Sequence, residues 1–487
     1  MSAEKETLVA KICTRTTCHG PLDFYQSKGL GRIFWALVTL GAFVAIGFFG
    51  YKVVMQYLQK PSATSIADKQ VDQLLFPNVT ICNPFRHNAT FIKKSIPQWV
   101  AMGVMNRVQL QNTTEEEFKK EFVRYLRLLS FGMEFYKHND ARTRKLVEAM
   151  ESMYQYMFVN GKDHLGIDIN QFISNATFDC PQYLVECSFN QEPFDCCQKA
   201  RKTFTDYGYC YALDMSAGTN DTNSYQTSKG EEFGLQVTVR LDINDVEIIS
   251  WMEEAGLRVH VNDYATSMDS NPIAVPPRTH AHIRVKPEHY MWDKDLDVCL
   301  TEPEPLDSFE AYTKTMCEMS CFERAIWNGS CQCRIMSGFV HRDPSTLCSP
   351  LDMLKCVYPR LIGVANDSDI AREALLNCYN TNCPMMCDYW TYATYVMYSE
   401  HGEDAESTSP DSNIVTTKIS VYYAELTYQE LQKTLLIDVN TFVSNVGGIV
   451  GLWTGISVLS VIQCLAIIIF GPCEDNHGCC GCGKKDV

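Results

Sequence analysis

Two stretches of this chain contain no charged side chain and are apolar enough to leave water. They are Ile33–Tyr51, reading IFWALVTLGAFVAIGFFGY, and Val439–Cys473, reading VNTFVSNVGGIVGLWTGISVLSVIQCLAIIIFGPC. A helix rises ~1.5 Å per residue, so each run crosses most of a hydrocarbon core ~30 Å thick. Inside that core every backbone N–H and C=O must be satisfied within the chain, which leaves helix as the structure of both runs. The first is not a cleavable leader, because a polar segment precedes it and no small-x-small site follows. The second is longer than one straight span requires, so it has to tilt or break.

Cysteine placement divides the remainder. Of 23 cysteines, sixteen lie between Cys82 and Cys387 and seven lie near the two ends. An even set in the middle fits an oxidising compartment, and unpaired thiols at the ends fit a reducing one. Sequons agree: Asn78, Asn88, Asn112, Asn175, Asn220, Asn328 and Asn366 each open N-x-S/T, all in the middle segment. Lys5, Lys11, Arg15, Lys28 and Arg32 outnumber the acids before the first run, as cytosolic flanks do. The expected layout is a cytosolic segment 1–30, a first span 31–57, an extracellular domain 58–438, a second span 439–472 and a cytosolic tail 473–487. The chain is therefore expected in the plasma membrane, with both termini inside the cell.

The formal net charge is −16; residues 1–32 carry +2 and residues 474–487 carry −1, so −17 falls on what lies between. An acidic external surface argues against nucleic acid as a partner and raises the local concentration of cations. It is also what a merely soluble glycoprotein surface looks like. No G-x-S-x-G, H-E-x-x-H, P-loop or kinase motif occurs, so no enzyme is expected.

The extracellular segment reads as α+β. GLQVTVRL (Gly234–Leu241) and LRVHV (Leu257–Val261) alternate as half-buried strands do. NIVTTKISVYYAELTY (Asn413–Tyr428) is β-branched and aromatic and runs toward the second span. Thr113–Leu129 reads as a helix, with Thr113 or Thr114 as cap, a Glu three residues on, and Phe118, Phe122, Leu126 and Leu129 on one face. Arg142–Phe158 continues the helical texture.

Six motifs in register resemble one family. FPNVTICN (Phe76–Asn83), just after the first span, resembles the opening signature of the ectodomain in the DEG/ENaC sodium channels. His19-Gly20 resembles their cytosolic His-Gly pair, and GLWTGIS (Gly451–Ser457) the region of their Gly-Ala-Ser selectivity triplet. FTDYGYCY (Phe204–Tyr211) and EEAGLRVHV (Glu253–Val261) are similar to their palm-strand neighbourhoods, and the cysteine run from Cys299 to Cys387 to their disulfide-laddered thumb. The resemblance covers nearly the whole chain. It implies an α+β membrane protein with two transmembrane helices, a β palm (about 70–84, 200–290 and 411–430), a helical finger (about 85–180) and a thumb (about 295–390). It also implies a homotrimer, amiloride block and permeant Na⁺ with no cofactor.

The family's residues carry over position by position. Gly455, Ile456 and Ser457 stand where the filter is, with Ile456 in place of Ala. Gly447, Gly451 and Gly455 lie at four-residue steps on one helix face, which by itself also suits tight helix packing without a pore. Ser457 and Ser460 add hydroxyls three residues apart, and a helix broken at Gly455 would offer carbonyls to an ion. Gln463 and Ala466 replace the acids that often follow the triplet, which weakens deep cation focusing. Ser444 occupies the position at the pore mouth where bulk holds degenerins open. His19-Gly20 implies a re-entrant loop, and as a bare dipeptide is a solvated turn. Leu426-Thr427 fall at the linker that controls desensitisation, and Tyr290 and Trp292 resemble the aromatic wrist. The implied disulfides are Cys82–Cys210, Cys299–Cys387, Cys317–Cys383, Cys321–Cys378, Cys331–Cys356 and Cys333–Cys348. Cys180, Cys187, Cys196 and Cys197 remain for two more bonds of undetermined pairing; zinc ligation by the thumb cysteines is the competing use. Cys473, Cys479, Cys480 and Cys482 read as palmitoylation sites or free thiols.

His280 and His282 alternate with Arg284 on an apparent strand and share a face, as a proton or metal sensor or as a solvated surface. For the stimulus, aromatics and carboxylates mix in the finger: Phe131, Glu134, Phe135, Tyr136, Glu148, Glu151, Tyr154, Tyr156 and Phe158. This suits a short, amidated, cationic aromatic peptide, and the chain resembles the invertebrate FMRFamide-gated branch. The alternative within the family is proton gating, for which Asp343, Asp352, Asp367 and Asp369 are scattered. A two-span receptor or adhesion glycoprotein without a pore is the alternative from another class.

Overall fold

In a computed structural model, the description covers residues 21–83, 88–108, 114–130, 141–159, 161–205, 208–215, 224–242, 256–263, 272–296, 299–302, 312–315, 317–318, 321, 331, 333, 347–361, 376, 383–400, 414–462 and 465–466. The chain divides into two units, Met1–Thr64 with Lys433–Val487, and Ser65–Gln432.

In the first unit, the leading apolar run becomes helix α1, Leu30–Leu58, which buries none of its side chains. Its apolar residues surround the whole circumference, with Leu37 64% and Val44 65% exposed, so the helix has no polar face to turn to water. Among the described residues it is the one helix long and apolar enough to cross a membrane. The second run is not one continuous helix. It opens with α6, Val439–Thr454, capped by Asp438, whose carboxylate accepts from the Thr441 N–H at 2.8 Å. It stops at Gly455 and resumes helically over 458–462. Rings join the two helices: Tyr57 packs on Phe442 at 4.6 Å, and Phe49 stacks on Trp453 at 6.3 Å. The Leu436 N–H donates to the Pro61 carbonyl at 2.9 Å, tying the chain ahead of α6 to the chain after α1.

The second unit is built on two sheets sharing one core. In chain order their strands are β1 Ser62–Gln70, β2 Asn78–Cys82, β3 Leu184–Phe189, β4 Glu192–Phe194, β5 Ala200–Thr205, β6 Gly208–Leu213 and β7 Leu235–Asp242. There follow β8 Leu257–Asn262, β9 Ile273–Val275, β10 Thr279–Trp292, β11 Asp388–Glu400, β12 Ile414–Tyr423 and β13 Thr427–Leu435. One sheet runs β1-β13-β10-β12-β7-β3-β4, with β11 also paired to β10; the other runs β9-β8-β2-β6-β5. Alternation decides the faces. On β10, Ala281, Ile283 and Val285 enter the core beside Val237, Val239 and Ile419, while His280, His282 and Arg284 face out.

The aromatic run Asn413–Tyr428 is not a single strand. Its backbone leaves the ladder at Tyr423, whose N–H and C=O are taken at 2.9 and 3.0 Å by the buried side chain of Gln226. An amide side chain thus substitutes for a neighbouring strand, and β13 begins only at Thr427.

Helices α2 Ala89–Ala101, α3 Glu115–Ser130, α4 Ala141–Phe158 and α5 Ile169–Asn175, in the segment expected to be the finger, surround a second core. Thr114 caps α3 as the spacing implies: the Glu117 N–H meets its hydroxyl at 3.3 Å, and its own N–H meets the Glu117 carboxylate at 3.1 Å. Phe118, Phe122 and Leu126 point inward against Met150, Met153 and Trp99. The segment 347–357 adds Leu347, Met353, Leu354 and Val357 to the same core, behind a second capping box at Ser349 and Asp352.

Disulfides join Cys82–Cys210, Cys299–Cys387, Cys317–Cys383, Cys331–Cys356 and Cys333–Cys348. The pairs left open by the sequence are Cys180–Cys197 and Cys187–Cys196. Cys321 is also disulfide-bonded, while Cys378 lies outside the described residues. The bond Cys82–Cys210 spans 128 residues, and closing a loop of that order removes about 4–5 kcal/mol of unfolded-chain entropy.

Candidate functional site

The break in the second apolar run has a defined chemistry. Gly455 adopts φ 67°, ψ 11°, a left-handed conformation that a glycine enters without Cβ strain. Its N–H closes a bond to the Gly451 carbonyl at 2.9 Å, which ends α6. Ser457 and Ser460 then start the next helical piece: the Ser457 N–H donates to the Ser460 hydroxyl at 3.1 Å, and the Ser460 N–H to the Ser457 hydroxyl at 3.2 Å. The carbonyls of Leu452, Trp453 and Thr454 therefore end a helix, where the intrahelical ladder supplies no donor four residues on. Glycine, hydroxyls and helix-end carbonyls meet within a segment that has no charge.

Ser444, Gly448, Gly451 and Gly455 fall on one face of α6, at steps of four, three and four. Ser444 is exposed. A Cβ built at Gly447 or Gly448 would meet nothing within 4 Å, so α1 does not cover this face.

The remaining sites expected from the sequence separate. Leu426 lies in the interruption between β12 and β13, its carbonyl accepting from the Val71 N–H at 3.0 Å, and Thr427 opens β13. Tyr290 stacks on Tyr389 at 4.9 Å, and Trp292 meets the same ring edge-on at 6.4 Å while its N–H donates to the Cys387 carbonyl. His280 and His282 face Glu231 across the palm surface; burial pushes the Glu231 carboxyl up, but hydrogen bonds from His282 and Ser420 bring it below its ordinary value. His19, Gly20, Phe131, Glu134, Phe135, Tyr136, Gln463, Asp343, Asp367, Asp369, the sequons Asn112, Asn220, Asn328 and Asn366, and the tail cysteines lie outside the described residues.

Tyr154 is placed differently from the ligand-facing ring the finger composition implied. It is 2% exposed, its ring packs on Phe158 at 5.4 Å, and its hydroxyl reaches the Leu347 carbonyl. Phe158 is core as well. The period of α4 puts both on its inner face, where burying a ring outweighs presenting it to solvent. On the same helix, Glu148 pairs with Lys355 at 3.2 Å. Burial raises the Glu151 carboxyl, and the charge of Asp352 raises it further.

Of the described sequons, Asn175 ends α5 on the surface, and Asn88 caps α2 by accepting from the Phe91 N–H. Asn78 sits in β2 opposite Asn262, with its amide nitrogen donating to the Asp263 carbonyl at 2.9 Å. That nitrogen is the one a glycan would take.

A cavity of roughly 350 Å³ is lined by Asp263 after β8, Tyr312, and Asp388, Tyr389, Trp390 and Tyr392 of β11 among others. His289 stacks on Trp390 at 4.2 Å and bonds the Asp388 carboxylate at 2.7 Å. The Asp263 carboxyl is pushed up to about 6, chiefly by burial and then by the Asp388 charge, with His289 opposing. Aromatic faces around two carboxylates suit a cationic, aromatic ligand. No sequence motif marks this site. Its one visible trace is the aromatic density of Asp388–Tyr398, DYWTYATYVMY.

The chain is 21% identical to the sodium channel protein Nach of Drosophila melanogaster, over 93% of this chain and 85% of that one. It is 22% identical to the bile acid-sensitive ion channel of Mus musculus (92% and 84% covered) and 22% identical to acid-sensing ion channel 1 of Gallus gallus (96% and 86%). The family model described as amiloride-sensitive sodium channel matches residues 12–467. A match of that extent settles the family: this chain belongs to the amiloride-sensitive (DEG/ENaC) sodium channels.

Proposed function

We propose that the chain forms a trimeric, Na⁺-preferring, amiloride-sensitive cation channel of the plasma membrane, with both termini in the cytosol and a gate worked by an extracellular ligand. The observation that carries this reading is the helix break at Gly455-Ile456-Ser457 inside an uncharged apolar run. Three copies of α6 meeting on the open Ser444–Gly448–Gly451–Gly455 face bring helix-end carbonyls and serine hydroxyls to one axis. Such a ring replaces part of an ion's hydration shell. Ile456 contributes through its backbone, so its bulk where alanine is usual is tolerated. The segment after α6 completes the second span.

The ligand of this proposal is a short extracellular peptide with a basic and an aromatic side chain, such as an FMRFamide-like peptide. The cavity between Asp263, Asp388 and Trp390 offers the matching chemistry and is the site proposed here beside the finger residues Phe131, Glu134 and Tyr136, while Tyr154 is core. Binding opens the channel to the extent that the open arrangement of palm and thumb holds the peptide better than the closed one. Proton gating is the second reading, favoured by the Glu151–Asp352 neighbourhood at the finger–thumb contact and by the raised Asp263.

The test is current from cells expressing this chain alone, first under external acid and then under a panel of amidated peptides. Peptide-evoked, amiloride-blocked inward Na⁺ current at neutral pH supports the first reading. Current evoked by acid alone, with every peptide silent, supports the second. No cation current under any condition, with the chain at the surface, refutes both.

A further inference from the structure

We propose that Glu231, His280 and His282 form a binding site for a transition-metal dication of the Zn²⁺ class on the solvent-facing side of the palm sheet. The site is assembled by three separate pieces of chain. Strand β10 supplies the two imidazoles at alternate positions, so both stand on one face while Ala281 between them is fully buried in the core. Their rings lie 3.9 Å apart. The carboxylate arrives from the turn Glu231–Phe233, which lies between two glycines. Gly230 has φ 105°, and a Cβ at Gly234 would stand 2.2 Å from the Val421 carbonyl oxygen, so only glycine lets the turn press onto β12.

The donor atoms already converge. One Glu231 oxygen is 2.9 Å from His282 Nδ1 and 3.3 Å from His280 Nε2. All three ligand atoms lie within 4.8 Å of one another. A tetrahedral metal with bonds of about 2.1 Å needs ligand atoms about 3.4 Å apart, so the ion enters with side-chain adjustment and no movement of the strands. The outer contacts fit as well. His282 Nε2 lies 3.0 Å from the Ser399 hydroxyl on β11, a partner that fixes the ring with Nδ1 toward the metal. The Ser420 hydroxyl on β12 lies 2.7 Å from His280 Nε2 and yields when the metal takes that nitrogen. The three side chains are 16–31% exposed, which leaves a path for the ion and an open coordination position for water.

The identity of the ion follows from the donors. Two imidazoles and one carboxylate suit Zn²⁺ and its neighbours, whereas Ca²⁺ and Mg²⁺ call for oxygen ligands. Arg284 lies two residues along β10 on the same face, and Lys418 pairs with His280 across to β12. These cations oppose a trap made by charge alone, so coordination by nitrogen has to hold the metal. The resulting clamp would staple the Glu231 turn to β10.

The experiment uses the full purified chain with its free thiols alkylated, so that the tail cysteines do not compete. Zn²⁺ binding is followed by equilibrium titration with Ca²⁺ and Mg²⁺ in excess, and the loaded protein by X-ray absorption at the zinc edge. The proposal expects one tight Zn²⁺ per chain that Ca²⁺ does not displace, weakened at least about tenfold by His282→Ala and by Glu231→Gln. It also expects imidazole scattering from two nitrogens near 2.0–2.1 Å. Equal affinity in the variants and the parent chain overturns it. So does a spectrum from the unmodified chain without imidazole scattering, which keeps the proposal refutable even if a variant fails to fold.

Discussion

At the scale of single residues, small side chains set where backbones can approach one another. Ser444 is exposed on the open face of α6, where three helices would close. Ser444→Trp cannot fit such a closure, so it should produce standing current without agonist, measured as amiloride-blocked holding current. A variant that reaches the surface, stays silent and opens normally would show that this face does not close the pore. Gly234 is the structural counterpart, since its missing Cβ leaves room for Val421 and Tyr422. Gly234→Ala forces backbone apart at a cost of about 1–3 kcal/mol, and should lower surface expression and thermal midpoint together. Wild-type stability in that variant would contradict the packing. Glycosylation separates two sequons that look alike in sequence. Asn175→Gln should remove one glycan, seen as faster migration on a gel, while Asn78→Gln should leave migration unchanged because its amide is held by Asp263. A shift with Asn78→Gln would show that β2 forms only after glycan transfer.

At the scale of elements, much of the fold was legible. Gly234–Leu241 and Leu257–Val261 alternate because one face is core and the other is not, and both are strands. Thr114 with Glu117 announces α3 locally, since a cap needs only its own turn. What was not legible depends on contacts distant in sequence. The end of β12 at Tyr423 is caused by Gln226, nearly two hundred residues earlier, and nothing in NIVTTKISVYYAELTY signals it. Tyr154 and Phe158 gave a composition that serves a ligand or a core equally, and only the neighbouring helices decide between them. The Asp263 cavity is the same problem in reverse: Asp263, Tyr312 and Trp390 become neighbours only once the strands are paired. The break at Gly455 was readable because its cause, a glycine followed by spaced serines, is local.

Asp263 supplies the pH prediction at this scale. Its folded-state value is raised to about 6, so its contribution to stability is fully present in acid and fades as pH rises through about 6. At neutral pH the buried carboxylate is charged at some cost, which a cationic ligand would offset. Asp263→Asn should therefore raise the thermal midpoint at neutral pH and weaken a cationic peptide at least about tenfold. In the unmodified chain, peptide potency should fall as pH drops through about 6. Potency unchanged by Asp263→Asn would remove the cavity as the peptide's site.

At the scale of the whole molecule, the chain passes between its two units at two places, Thr64–Ser65 and Gln432–Lys433, within strands β1 and β13. A ligand that changes the larger unit has only these two routes to the helices along the chain itself. The central claim is that the ions are selected where α6 breaks. The most direct test is the reversal potential of the open channel under exchange of external Na⁺ for K⁺, in the parent chain and in Gly455→Ala, Ile456→Ala and Ser457→Cys. A filter at this break gives a Na⁺-preferring parent whose reversal potential loses its dependence on Na⁺ in Gly455→Ala and Ser457→Cys, with Ile456→Ala close to the parent because only its backbone faces the ion. Conducting variants at all three positions with the parent's reversal potential would place the filter elsewhere and contradict the claim.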